Sequence, residues 1–255
     1  MESLLLTLQL MLASVLIATP LGVASAMAAW VAPPRIAKIW IAIMISAAAM
    51  PLYLHAAGWE SAAGKFGWLP FANATAEDAW FGAGPFVATA WIHGMVGSIW
   101  VAMGTIAGLG SVDRSAYDAA RIERGDGAAL WFVALPLSLP ATLVSIAMVA
   151  ATAACEMTVA DLYTVRTLAD AVYLWYSYDP QPLPIALAAI TPLAVAVPTM
   201  IFAWRKFAPT RNDVSTQRIV WGEQKFAFWT RASAVLFLLF SGMLAIGMPI
   251  FSLLV

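Results

Sequence analysis

The sequence predicts an all-α polytopic membrane protein with about six transmembrane helices, and three observations carry that prediction. Hydrophobic residues make up 62% of the 255-residue chain and charged residues 11%, whereas a water-soluble domain carries roughly 25% charged residues. The charges are also clustered. Asp, Glu, Lys and Arg are missing from 3–34, 39–59, 79–112, 127–155, 180–204 and 232–255, and each run can supply the about 20 apolar residues that cross a bilayer as a helix. Finally, the runs are continuous, whereas a membrane β-barrel shows segments of about ten residues alternating in and out.

The spans are expected at 4–30, 39–57, 86–110, 132–155, 184–204 and 232–254. The first follows Met1-Glu2-Ser3. With no basic stretch before it and too long an apolar run, it reads as a retained helix rather than a cleaved signal peptide. Trp30, Trp40, Trp59, Trp131, Trp204 and Trp229 fall where spans should end, as expected of an interfacial aromatic belt. Of the 13 Lys and Arg residues, only Lys65 and Arg166 lie in the second and fourth loops. The rest lie in the first, third and fifth: Arg35, Lys38, Arg114, Arg121, Arg124, Arg205, Lys206, Arg211, Arg218, Lys225 and Arg231. The positive-inside rule makes those three loops cytoplasmic and sets both termini outside. The outer loops, 58–85 and 156–183, are rich in aromatic residues and are expected to lie along the outer interface.

Composition also limits function. A net charge of −1 offers nothing to nucleic acid, and the single cysteine, Cys155, excludes an internal disulfide and a thiol-rich metal site. No Gly-x-x-x-x-Gly-Lys-Ser/Thr phosphate loop and no His-Glu-x-x-His motif occurs, so nucleotide chemistry would need another chain. His55 and His93 stand near the outer ends of the second and third spans, where bis-histidine haem ligation is one use and polar packing the other. No carboxylate or base sits at a span centre, which speaks against a carrier driven by buried ionisable groups. Pro51, Pro192, Pro198, Ser145, Thr152 and Thr191 are the residues suited to kink a helix or line a passage. Glu156 and Asp161 are expected at its outer mouth.

The third loop has the richest local pattern. Ser115 is placed to cap a short helix reaching Arg124, with Asp118 near its positive end. Either Gly125 or Gly127 permits a turn. A second short helix is expected to stop at Leu135-Pro136. Ala119 and Ala120 give the first helix a face that another protein can approach closely. The expected product is a helical knob in the cytoplasm.

Asp118-Ala119-Ala120, the following glycine and Leu135-Pro136 resemble the Glu-Ala-Ala loop of binding-protein-dependent ABC importer permeases, with Asp in place of the leading Glu. The run Asp126-Gly127-Ala128 through Pro140-Ala141 is similar to the iron(III)- and thiamine-type subgroup. Leu8–Ala24 and 156–170 are also similar to segments of these permeases, so the resemblance covers roughly 4–204. It implies a type I importer permease core over 1–204, with a coupling loop at 111–131 that docks on cytoplasmic ATP-binding subunits. A second permease chain and an extracytoplasmic solute-binding protein are further implied partners in the cell (inner) membrane, with a small solute such as ferric iron as cargo. The chain itself is expected to be no enzyme and to hold no cofactor or metal. A basic linker, 205–231, and an additional span, 232–255, follow. Family units commonly begin with one more span than this chain shows before Leu4, so the chain is expected to be a piece of a duplicated or split permease. A secondary transporter or channel, or a membrane haem or redox subunit, are the alternative readings.

Overall fold

In the first helix, α1 (Glu2–Val31), the usual amphipathic pattern of a soluble protein is inverted. Its buried residues are Thr7, Leu10, Ser14, Ala18, Gly22, Ser25, Ala26, Ala29 and Trp30, mostly small or weakly polar. Its exposed face carries Leu4, Leu5, Leu8, Leu12 and Leu16. Large side chains toward the solvent and small ones toward neighbouring helices are what lipid selects, because apolar burial alone does not bring two membrane helices together. Pro20 lies inside α1 without ending it, as membrane helices tolerate.

The computed structural model describes residues 2–69, 80, 84–178 and 226–255, with single or paired positions between 183 and 224. After α1 come α2 (Pro34–Ala48), α3 (Leu52–Ala63) and α4 (Gly84–Leu109). Then follow α5 (Arg114–Ala129), α6 (Leu135–Cys155), α7 (Thr158–Leu162), α8 (Leu168–Tyr178), α9 (Phe228–Gly242) and α10 (Met248–Leu254). No β-strand occurs among the described residues. Four segments there are long and apolar enough to cross a membrane: Glu2–Val31, Gly84–Leu109, Arg114–Cys155 and Phe228–Leu254. The pair α2–α3 makes a fifth if taken as one span. The fold is that of a helical membrane protein, with four or five such spans among the described residues in place of the expected six; 184–204 lies largely outside them.

The second expected span is not straight. The axes of α2 and α3 meet at 99°, with the break at Ala49, Met50 and Pro51. Pro51 has no N–H to continue α2 and disfavours the helical region at Met50, so the chain turns before helix resumes at Leu52.

At the centre stands α4, packed most extensively against α1 and next against α6. A Cβ added at Gly108 would lie 2.7 Å from the carbonyl oxygen of Ser138 on α6, and one at Gly22 would lie 2.6 Å from Val101 Cβ on α4. Both faces of α4 therefore touch neighbouring backbone at a distance only glycine permits. Buried between α4 and α6, the Thr105 and Thr142 hydroxyls share a hydrogen bond of 3.0 Å. On the other side, α9 packs on α1 and α10 on α3. There Ser61 donates to the Ser252 carbonyl at 2.7 Å, and Trp68 Nε1 to the Ser252 hydroxyl at 3.0 Å.

Two further proline effects shape the bundle. A π-helical turn, Leu130–Ala134, joins α5 to α6, and another, Met243–Gly247, joins α9 to α10. Proline clashes with the carbonyl four residues before it. For Pro136 that residue is Phe132, and for Pro249 it is Ala245; each is the middle residue of its π turn. The widened turn takes up the clash, so the helix runs on. The expected stop at Leu135-Pro136 is thereby corrected.

The aromatic belt also needs correction. Trp30, Trp40 and Trp59 are buried inside the protein, whereas Trp131 and Trp229 are exposed. Alanines such as Ala29, Ala37, Ala62 and Ala63 leave room for the indoles in the core. Trp204 lies outside the described residues.

Two tests follow. Gly108→Val should destabilise the protein in detergent by about 1–3 kcal/mol through overpacking against the Ser138 backbone, read as a lower thermal midpoint; an unchanged midpoint would mean that the helices do not approach so closely. The orientation is tested in a Cys155→Ser background with single cysteines at the exposed positions Lys65 and Ser115. A membrane-impermeant thiol reagent applied to intact cells should label position 65 and spare position 115, and the reverse pattern would invert the topology.

Candidate functional site

Between α4 and α6, over the residues expected to form the knob, the chain forms α5, two helical arms broken at Gly125. Asp113, not Ser115, occupies the position before the first helical residue. Ser115 Oγ instead donates to the Asp113 carboxylate, which holds that carboxyl below the usual range. An Asp at the head of a helix faces the positive end of its dipole. Of the two candidate glycines, Gly125 makes the turn, with φ 82° and ψ 170°, a conformation that favours glycine. Gly127 is helical.

Tyr117 roots the knob in the bundle. Its ring is buried among Trp30, Leu109, Val112 and Leu130, and its hydroxyl donates across the turn to the Asp126 carbonyl at 3.3 Å. Burial, and then the Asp126 carboxylate, push the phenol above its ordinary pKa. Asp118 sits between Arg114 at 3.3 Å and Arg121 at 3.4 Å. Ala119 is exposed and Ala120 half-buried. Ile122 is 84% exposed at the far face, an apolar side chain among charges on a surface otherwise polar.

At the opposite end of α6 lies a cavity of about 400 Å³. Ala48, Met50 and Leu52 at the α2–α3 corner line it, with His93, Val96, Gly97 and Trp100 from α4 and Thr152, Cys155 and Glu156 from the end of α6. The structure thus brings Thr152 and Glu156 together beside the corner made by Pro51. Ser145 lies deeper, its hydroxyl donating to the Ala141 carbonyl at 3.1 Å. Asp161 is exposed on α7 and does not line the cavity, and Thr191 and Pro192 lie outside the described residues.

Glu156 carries the charge of this cavity. Its Oε1 accepts from the Thr158 N–H at 2.7 Å and its Oε2 from the Val159 N–H at 3.0 Å. His93 Nε2 lies 3.5 Å from Oε2. Burial opposes ionisation, but His93 and the two backbone N–H groups outweigh it and hold the Glu156 carboxyl below the usual range. His93 Nδ1 faces the Thr89 carbonyl at 2.9 Å, which can only accept, so Nδ1 carries a hydrogen. The pairing of His93 with Glu156 was not anticipated. The signal available was depth: both residues were expected toward the outer side, on spans joined through the knob. His55, the other histidine, turns Nε2 to the Ala47 carbonyl at 3.2 Å. The two imidazoles have separate polar partners.

A second carboxylate, Glu60, was also missed. Its Oε2 accepts from Trp80 Nε1 at 3.0 Å and from the Tyr163 hydroxyl at 2.8 Å. Trp59, Trp80 and Tyr163 pack around it, tilted and then edge-to-face, with ring centroids 6.3 Å and 5.7 Å apart in successive pairs. Among the described residues no group of three or more His, Cys, Asp or Glu is arranged to hold a metal ion.

No family model matches the chain, and no characterised protein matches it either.

The depressed Glu156 pKa has a consequence for stability. Its contribution is fully present above the ordinary value of 4.5 and is lost as pH falls through the lower folded value. Below pH 4.5 the thermal midpoint of the wild-type protein should therefore fall more steeply than that of Glu156→Gln. Parallel curves would show that the carboxylate is not held in this way.

Proposed function

We propose that this chain is the transmembrane permease subunit of an ATP-driven importer of the binding-protein-dependent class, set in the cell (inner) membrane. It moves a small solute and draws its energy from separate ATP-binding subunits. A second permease chain and an extracytoplasmic binding protein complete the assembly. The observation that carries this reading is the knob of α5. A charged helical hairpin, rooted by Tyr117 and turned at Gly125, stands between two apolar helices. It presents Ala119 and Ile122 outward, small and apolar surface of the kind a close protein contact uses. Its second arm runs through the π turn into α6, so force applied at the knob reaches the cavity along a continuous helix.

The competing reading is a secondary transporter, favoured by the His93–Glu156 pair, since ionisable pairs within a membrane bundle commonly mark a coupled ion or proton. Ferric iron as the solute has no three-residue donor group among the described residues to support it.

Ala119→Arg separates the two readings. The position is exposed, so folding should change by no more than about 0.5 kcal/mol. An importer subunit should insert normally, yet lose co-purification of an ATPase and at least about tenfold of its transport, because a bulky cation is forced into a close contact. Full transport in the variant, with no ATPase retained by the wild-type chain either, would decide for the secondary transporter.

A further inference from the structure

Against the first turns of α1 lies a cleft of about 730 Å³. Among the described residues, Glu2, Ser3, Leu5, Leu6 and Gln9 line it from α1, and Arg166 from the chain just before α8. Two ties hold Arg166 there. The Leu168 N–H donates to the Thr7 hydroxyl of α1 at 2.8 Å, and Arg166 Nη1 donates to the Asp170 carboxylate at 3.1 Å. The Asp170 side chain is 8% exposed and that of Arg166 70%. A buried carboxylate therefore pins the guanidinium, whose other N–H groups stay open to a second acceptor. Glu2 is exposed in the same cleft, and no further charge follows it until Arg35. Gln9 is exposed too, about 10 Å further along the helix than Glu2. An amide facing hydrocarbon costs free energy unless it is hydrogen-bonded. From the cleft, the exposed Leu5, Leu8, Leu12 and Leu16 run down one face of α1. That row is about 16 Å long, close to the roughly 15 Å depth of one leaflet's hydrocarbon.

We propose that this cleft holds the headgroup of a zwitterionic phospholipid, with its phosphate on Arg166, its ammonium on Glu2 and an acyl chain along the leucine row. The guanidinium fork matches phosphate oxygens, and the Gln9 amide can donate to an ester carbonyl between headgroup and chain. Charge selects among headgroups. Glu2 and Asp170 together outnumber Arg166 in and beside the cleft, so an anionic headgroup adds repulsion, whereas a zwitterion meets Arg166 and Glu2 with the opposite sign. A free phosphoester would satisfy the charges but leave the leucine row unused, and the row favours the lipid. The cleft volume lies within the range of roughly 300–1,000 Å³ usual for small-molecule pockets. This site rests on the helical membrane fold and stands apart from the importer reading.

The test is a titration of the full chain, stripped of lipid in mild detergent, with thermal midpoint as the readout. The probes are dioleoylphosphatidylethanolamine, dioleoylphosphatidylglycerol, dioleoylglycerol and water-soluble glycerophosphoethanolamine. Phosphatidylethanolamine should raise the midpoint to a plateau, at a half-saturating concentration at least about tenfold below that of either other lipid. Glycerophosphoethanolamine, without acyl chains, should leave the midpoint unchanged. Arg166→Gln should raise the half-saturating concentration of phosphatidylethanolamine about tenfold. Glu2→Lys, at an exposed position, should reverse the order so that phosphatidylglycerol acts at the lower concentration. Equal action of the three lipids on the wild-type chain, or none, overturns the proposal. A full response to glycerophosphoethanolamine assigns the cleft to a free phosphoester and overturns the lipid. Should Arg166→Gln fail to fold, Glu2→Lys decides alone, and an unchanged lipid order there overturns the placement in this cleft. Because no ATPase takes part, failure here leaves the importer reading standing, and loss of ATPase co-purification leaves the lipid site standing.

Discussion

In lipid, a leucine gains little by leaving an acyl chain for another leucine, so helices in a membrane are held by close contact and by the hydrogen bonds that close contact permits. That constraint governs α1, α4 and α6. Gly22 and Gly108 let the three backbones approach to distances at which any Cβ would collide. Only at that spacing can the short hydroxyls of Thr105 and Thr142 meet. The same approach sets the cavity. Gly97, two turns nearer the start of α4 than Gly104, faces Val149 of α6, and His93 one turn further along reaches Glu156 just past the end of α6. If α4 and α6 were separated by even one methyl group, the imidazole and carboxylate would no longer share a site.

Proline imposes the second constraint, and the chain meets it in two ways. At Pro136 and Pro249 the preceding turn widens and the helix continues. At Pro51 the helix breaks and the chain turns through a corner. The difference has a structural consequence at each place. Continuity at Pro136 joins the second arm of the knob to α6, so that Gly125 and Glu156 stand near opposite ends of one rod. The corner at Pro51 leaves backbone between α2 and α3 to border a cavity, where irregular chain in a membrane protein is tolerated.

How much of this was legible in the sequence depended on the range of the interaction. Local patterns read well. Charge-free runs marked α1, α4, α6 and α9–α10, and Asp118-Ala119-Ala120 with the glycines marked a hairpin. Competition between near-equivalent local choices read less well: Asp113 took the capping position instead of Ser115, and only the backbone shows that Gly125 carries the positive φ. A proline in an apolar run gives no sign of whether a π turn or a corner will accommodate it, because neighbouring helices decide that. The indoles of Trp30, Trp40 and Trp59 sit at span ends by sequence, yet they are buried in clusters with alanines of their own and neighbouring helices. Contacts such as Glu60 with Trp80 and Tyr163 join distant segments and leave no periodic trace.

Two half-buried carboxylates, Glu60 and Glu156, are held in different ways. Glu60 is met by an indole N–H and a phenol O–H converging on one oxygen, inside a wall of Trp59, Trp80 and Tyr163. Those neutral donors tie α3 to the segment before α4 and to α7, and Trp80 holds a left-handed backbone (φ 57°) while doing so. Strain of that kind persists where surrounding contacts over-determine the conformation. Glu156 is anchored differently, by the backbone N–H groups of Thr158 and Val159 at the head of α7. Backbone donors fix its position without enclosing it, and its side chain keeps 21% exposure. What faces it from α4 is the His93 imidazole, with Nε2 3.5 Å from Oε2 and Nδ1 on the Thr89 carbonyl. The same residue type is tied by side-chain donors from distant segments in one place and by backbone N–H groups of the adjoining helix in the other.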